Sequence, residues 1–181
     1  MAIKGQSFSV GAIVFSSLLL LIVFSFQGPE YSQDNSVKNY YQNILTNQQE
    51  VYNNQIKENY STEKIKHSVY LYNRFVNTTS ARKGLDYSGF QALILPERGQ
   101  ALFINYRPNS IDFTFEGDEK HTKTLASLEN TKISISSSYR EYNLTVSELN
   151  INESFGADGP TLVTYTRLNN SNQNWEDYVV R

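Results

Sequence analysis

The chain has 181 residues, with 16 Lys and Arg against 18 Asp and Glu, 13 tyrosines, 10 phenylalanines and no cysteine. A formal charge of −2 without a basic patch argues against a nucleic-acid partner. The absence of cysteine removes disulfides, thiolate metal sites and cysteine nucleophiles together, so any folded part rests on an apolar core, for which the aromatic residues supply large buried areas.

The first element in chain order is an uncharged apolar run from Phe8 to Phe26. As a helix at about 1.5 Å per residue it reaches roughly 28 Å, close to the roughly 30 Å hydrocarbon core of a bilayer. It exceeds the apolar core of a cleavable secretory signal, and Phe26-Gln27-Gly28-Pro29 behind it offers no small-x-small cleavage site. A retained transmembrane helix over 6–28 is therefore expected. Lys4 lies before the span, and Glu30 and Asp34 are the first charges after it, which orients the N-terminus inside and the bulk outside. The expectation is a single-pass protein of the cell membrane with an extracytoplasmic C-terminal domain. Sequons at Asn59, Asn77, Asn143, Asn152 and Asn169 agree with that location and are candidate N-glycosylation sites.

Met1-Ala2-Ile3-Lys4-Gly5-Gln6 runs almost directly into the apolar helix. Lys4-Gly5-Gln6 followed at once by such a helix resembles the class III signal of archaeal type IV pilin-like proteins, in which a prepilin-type peptidase cuts after the glycine and leaves the helix on the mature chain. The resemblance implies a leader over 1–5 and a cut between Gly5 and Gln6. It also implies the membrane, that peptidase and other pilin-like subunits as partners, in homo- or hetero-oligomers. A basic residue would hold the leader in the cytoplasm, and glycine lets the backbone enter a peptidase extended. The chain departs from the pattern at Val10, where many pilins carry a glutamate thought to pair with a neighbouring subunit's amino terminus. That departure bears on filament assembly more than on processing.

Gly28-Pro29 ends or kinks the membrane helix. From Val37 the apolar spacing predicts an amphipathic helix through Tyr41, Ile44, Leu45, Val51, Tyr52, Ile56 and Tyr60, with Gln48 interrupting the stripe. Such a stripe must be buried on a sheet of the same chain or on neighbouring subunits. A second helix is predicted over 62–83 from Ile65, Val69, Tyr72 and Val76, with Arg82-Lys83-Gly84 as its stop. A strand over 68–76 competes with it, because Val69, Leu71 and Phe75 also alternate. Residues 29–84 are read as an amphipathic helical stalk.

From Leu85 onward the pattern is one of short strands and turns. Phe90 to Leu95, Ala101 to Arg107, Ile111 to Glu116, the region of Ile133 and Ile135, Tyr142 to Val146, and Leu162 to Leu168 read as strands. A phase slip from Val146 to Leu149 and Ile151 suggests a bulge. The expected fold is α+β: a transmembrane helix continuing into an amphipathic helix, then an antiparallel β-sandwich over 85–181, immunoglobulin-like, of about seven strands. In architecture this order resembles archaeal pilins and archaellins.

No catalytic, cofactor or metal site is expected. His67 and His121 have no ligand partner at a recognisable spacing. Glu116, Asp118 and Glu119 form an acidic turn whose carboxylates suit calcium, although a solvated turn is the favoured reading. No nucleophile elbow, phosphate loop or dinucleotide fingerprint is present. The functional expectation is a non-enzymatic, pilin-like structural or interaction subunit; the alternative is a single-pass anchored surface domain that binds a partner without assembling.

Overall fold

The computed structural model describes residues 33–136 and 140–180. The transmembrane helix over 6–28 and the leader cut at Gly5 and Gln6 lie outside the described residues. Among the described residues no helix is long and apolar enough to cross a membrane.

Two helices open the described chain, α1 (Gln33–Lys57) and α2 (Thr62–Arg82). Nine strands follow: β1 (Asp86–Leu95), β2 (Gln100–Tyr106), β3 (Ile111–Glu116), β4 (Lys120–Leu125), β5 (Asn130–Ser134), β6 (Glu141–Val146), β7 (Ile151–Gly156), β8 (Thr161–Asn169) and β9 (Asn174–Val180). The chain divides into two units, Met1–Asn47 and Gln48–Arg181, with the boundary inside α1. The described part of the first unit is the beginning of α1. The second unit holds the end of α1, all of α2 and every strand, so α2 shares a unit with the strands that follow it.

Both helices stop by the same device. Asn59 (φ 51°) and Gly84 (φ 70°) sit in the left-handed region two residues past the helix end. The following amide in each case reaches back five residues, Tyr60 N to Gln55 O at 3.1 Å and Leu85 N to Ser80 O at 3.0 Å. These are Schellman closures, which satisfy carbonyls the helix end would otherwise leave open. The predicted stop at Arg82-Lys83-Gly84 is thereby realised, and 62–82 is helix rather than strand. At the other end of α2 the Ser61 side chain accepts from Lys64 N, an N-cap.

The strands form two antiparallel sheets, one of order β5-β2-β1-β8-β9 and one of order β4-β3-β6-β7. They face each other across a core in which Phe103 stacks on Phe113 with centroids 4.3 Å apart and Phe115 stacks on Tyr142 at 5.6 Å. Strand β3 alternates as expected, with Ile111, Phe113 and Phe115 buried and Asp112 and Glu116 exposed. In β1 the even residues Phe90, Ala92 and Ile94 enter the inter-sheet core, and Leu93 and Leu95 point the other way, onto Ile65 and Val69 of α2. Both faces of β1 are covered, which is why its sequence reads as a continuous apolar run.

Among the described residues there are nine strands rather than about seven. The three strands that sequence patterning misses, β4, β7 and β9, are all sheet edges. In Lys120-His121-Thr122-Lys123-Thr124-Leu125 a single residue, Leu125, is buried, so no alternation marks it. The slip after Val146 is not a bulge. Ser147–Leu149 form a 3-10 turn closed by Asn150 at φ 54°, and β7 then folds back on β6 with Val146 opposite Ile151.

Candidate functional site

The helix-covered side of β1 carries a buried polar cluster that the apolar stripes did not announce. Asn73 is fully buried on α2 and Gln91 fully buried on β1. Their amides are paired, Asn73 Nδ2 donating to Gln91 Oε1 and Gln91 Nε2 donating to Asn73 Oδ1, both at 3.0 Å. Tyr52 of α1 donates to Gln91 Oε1 at 3.3 Å, and Tyr87 donates to Asn73 Oδ1 at 2.5 Å. Asn73 Nδ2 also returns to Val69 O at 2.9 Å. Gly89 makes room for this arrangement, since a Cβ there would stand 2.9 Å from the Tyr87 hydroxyl and 3.3 Å from Tyr165 O.

No member of the cluster carries charge at neutral pH. Burial, reinforced by Tyr87, pushes the Tyr52 hydroxyl well above its ordinary range, so it stays a hydrogen-bond donor. A neutral, mutually satisfied network of this kind fixes how a helix seats on a sheet, because any other seating leaves buried amides unpaired. A second link of the same type joins Thr166 Oγ1 to Gln48 Oε1 at 3.2 Å. Gln48, which breaks the apolar stripe of α1, is therefore a buried member of the seam. Gln48 Nε2 and Thr164 Oγ1 are buried there without a hydrogen-bond partner among the described residues. The one sequence signal for the seam was Gln48, a polar residue at a stripe position of the first helix.

A shallow cleft of about 340 Å³ lies at the start of α2, lined by Ser61, Thr62, Glu63, Arg98, Gln100 and Lys132. The Glu63 carboxylate is bonded to Lys66 at 2.5 Å, and that bond, with the charges of Lys66 and Lys132, holds it below the usual carboxylate range. Thr62 donates to Gln100 Oε1 at 2.5 Å. Arg98 Nη2 donates to Asn59 Oδ1 at 3.2 Å, and its Nη1 donates to Tyr60 O. The residues around the cleft are polar, but the surface they turn into it is mostly apolar, and Glu63 is the one carboxylate among them.

The histidines and acidic turn singled out in the sequence are dispersed. His67 is exposed on α2. His121 Nε2 lies 3.9 Å from Glu119 Oε2, and Glu116, Asp118 and Glu119 are all exposed around the β3–β4 turn. Among the described residues no group of three or more His, Cys, Asp or Glu is placed to hold a metal ion.

The five sequons occupy different settings. Asn77 is on α2, with the hydroxyl of its sequon, Thr79, bonded to Phe75 O at 2.9 Å. Asn143 and Asn152 face each other diagonally on β6 and β7, where the register sets Asn143 opposite Ser154 and Thr145 opposite Asn152. Each asparagine accepts from the hydroxyl of the other sequon, Asn143 from Ser154 and Asn152 from Thr145. Asn169 is half-buried at the end of β8, opposite Asn174. Asn59 is exposed, at the left-handed residue between α1 and α2. No family model, curated protein or solved structure matches the chain.

Proposed function

We propose that the chain is a membrane-anchored, pilin-like subunit of a cell-surface filament or related complex, with a structural or interaction role and no catalysis. The observation that carries this reading is Lys4-Gly5-Gln6 set directly against the uncharged run Phe8 to Phe26. On this reading a prepilin-type peptidase removes residues 1–5, the apolar helix stays in the lipid beside other such helices, and the β-rich unit is presented outside the cell. An amphipathic helix that leads into a β-rich unit suits such a subunit, because one end can be held by neighbours while the other is displayed. The two facing sheets are then an immunoglobulin-like module altered by α2, which covers one outer face.

Mass spectrometry of the N-terminal peptide of protein taken from its native membrane tests the proposal. A chain starting at Gln6 supports it, and Gly5→Phe should then block maturation. A chain starting at Met1 or Ala2 overturns it and leaves a single-pass anchored surface domain. That second reading is favoured by Val10, which stands where many pilins carry the glutamate thought to pair subunits.

A further inference from the structure

We propose that Asn59 is an N-glycosylation acceptor and that its glycan begins beside the cleft at the start of α2. The inference rests on the extracytoplasmic placement proposed above.

A glycosyl-transferring enzyme must grip the asparagine amide and the hydroxyl two residues on, which a surface loop permits and regular structure resists. Three conditions follow: an exposed asparagine, an exposed hydroxyl residue, and a backbone outside helix and strand. Asn77 fails because it lies within α2 and Thr79 donates to Phe75 O. Asn143 and Asn152 fail because both lie in strands and each sequon's hydroxyl is bonded to the other's amide. Asn169 fails because it is half-buried in the β8–β9 ladder. Asn59 meets all three: it and Ser61 are exposed, residues 58–61 connect α1 to α2, and the Ser61 hydroxyl accepts from Lys64 N rather than donating its own proton as Thr79, Thr145 and Ser154 do.

The local chemistry agrees. Arg98 Nη2 holds the carbonyl oxygen of Asn59, so Nδ2, the atom that would carry the sugar, has no protein partner among the described residues. Ser61, Arg98, Gln100 and Lys132 line the adjoining cleft through a mostly apolar surface, against which the C–H face of a sugar ring can pack. In the transfer step Asn59 Nδ2 bonds to the anomeric carbon of a sugar supplied as a glycosyl phosphate. The C–O bond to phosphate breaks, the phosphate leaves with its electron pair, and Nδ2 gives up one proton.

The experiment is mass spectrometry of the Asn59 peptide from the full chain isolated from its own cells, alongside labelling of intact cells with a membrane-impermeant amine reagent. Lys120 and Lys123 are exposed and report whether the unit lies outside. The expected result is a glycan on the Asn59 peptide, a loss of one glycan mass in Asn59→Gly, and the same loss in Ser61→Ala. Glycine keeps the left-handed turn, so the first variant folds. A bare Asn59 peptide in protein whose Lys120 is labelled overturns the glycan and leaves the extracytoplasmic placement intact, even if another sequon is occupied. Failure to label Lys120 and Lys123 overturns the placement, and the glycan proposal falls with it.

Discussion

The Tyr87 hydroxyl crosses directly above Gly89 to reach Asn73 Oδ1 at 2.5 Å, so a side chain that leaves its own strand to bond α2 depends on the missing side chain two residues along. Gly89→Ala should therefore cost about 1–3 kcal/mol by overpacking. The penalty should shrink when Tyr87→Phe is added, because the hydroxyl that the new methyl meets is gone. Chemical denaturation of the two single variants and the double variant gives the coupling directly. Strict additivity would show that the two residues do not compete for that space.

Asn73→Ala removes one partner from Tyr87 and two bonds from Gln91, leaving polar groups stranded between α2 and β1. A loss of about 3 kcal/mol is expected, read as a lowered denaturation midpoint.

Thr164→Val should act in the opposite sense. Its buried hydroxyl has no partner among the described residues, and valine keeps the branched shape while removing the polar atom. A gain of about 1 kcal/mol is expected in thermal or chemical denaturation.

Asn105 is fully buried, and its Nδ2 donates to Asn109 O at 2.8 Å, Leu125 O at 3.2 Å and Ala126 O at 2.9 Å. Its Oδ1 accepts from Arg107 N at 3.1 Å. One side chain thus ties the β2–β3 connection to the β4–β5 connection. Asn105→Ala should cost about 2–3 kcal/mol. Hydrogen exchange should accelerate at Arg107 and around Ala126 before it does so in β1.

Alkali should unfold the second unit. Burial first, and then a nearby Asp118, raises the Tyr142 hydroxyl. Burial first, and then Glu176, raises Tyr165, while the bond to Glu153 at 2.8 Å is the leading cause for Tyr178. A pKa raised on folding gives stability that is complete below the unfolded tyrosine value of about 10 and is lost as pH climbs toward the folded value. Circular dichroism should hold steady to about pH 10 and then fall together with the rise of tyrosinate absorbance. Tyrosinate appearing well before any loss of structure would contradict this.

Much of the architecture was legible because burial writes itself into spacing. The three-four repeat of Ile65, Val69 and Val76, the Gly84 stop and the alternation of Ile111, Phe113 and Phe115 each report a local periodicity with one covered face. Edge strands lack that record, since β4 buries a single residue. The hairpin at Asn150 imitates a bulge in one dimension, because both shift the apolar phase, and only the pairing of Val146 with Ile151 separates them. Asn73 was invisible as a core residue because its partners lie on another element, and the interlocking of Asn143 with Ser154 requires the register of β6 and β7. The setting of Asn59 was half visible: its sequon is local, but the grip of Arg98 spans 39 positions.

The outer face of the four-stranded sheet bonds to itself. Thr114 meets Thr122 at 3.2 Å, Thr124 donates to Asp112 at 2.5 Å, and Asn143, Thr145, Asn152 and Ser154 form crossed pairs. A surface with no large apolar side chain and with many of its donors already engaged has little to gain by shedding water. That side of the protein should behave as a non-stick coat, keeping neighbouring copies from adhering through it however densely they are crowded.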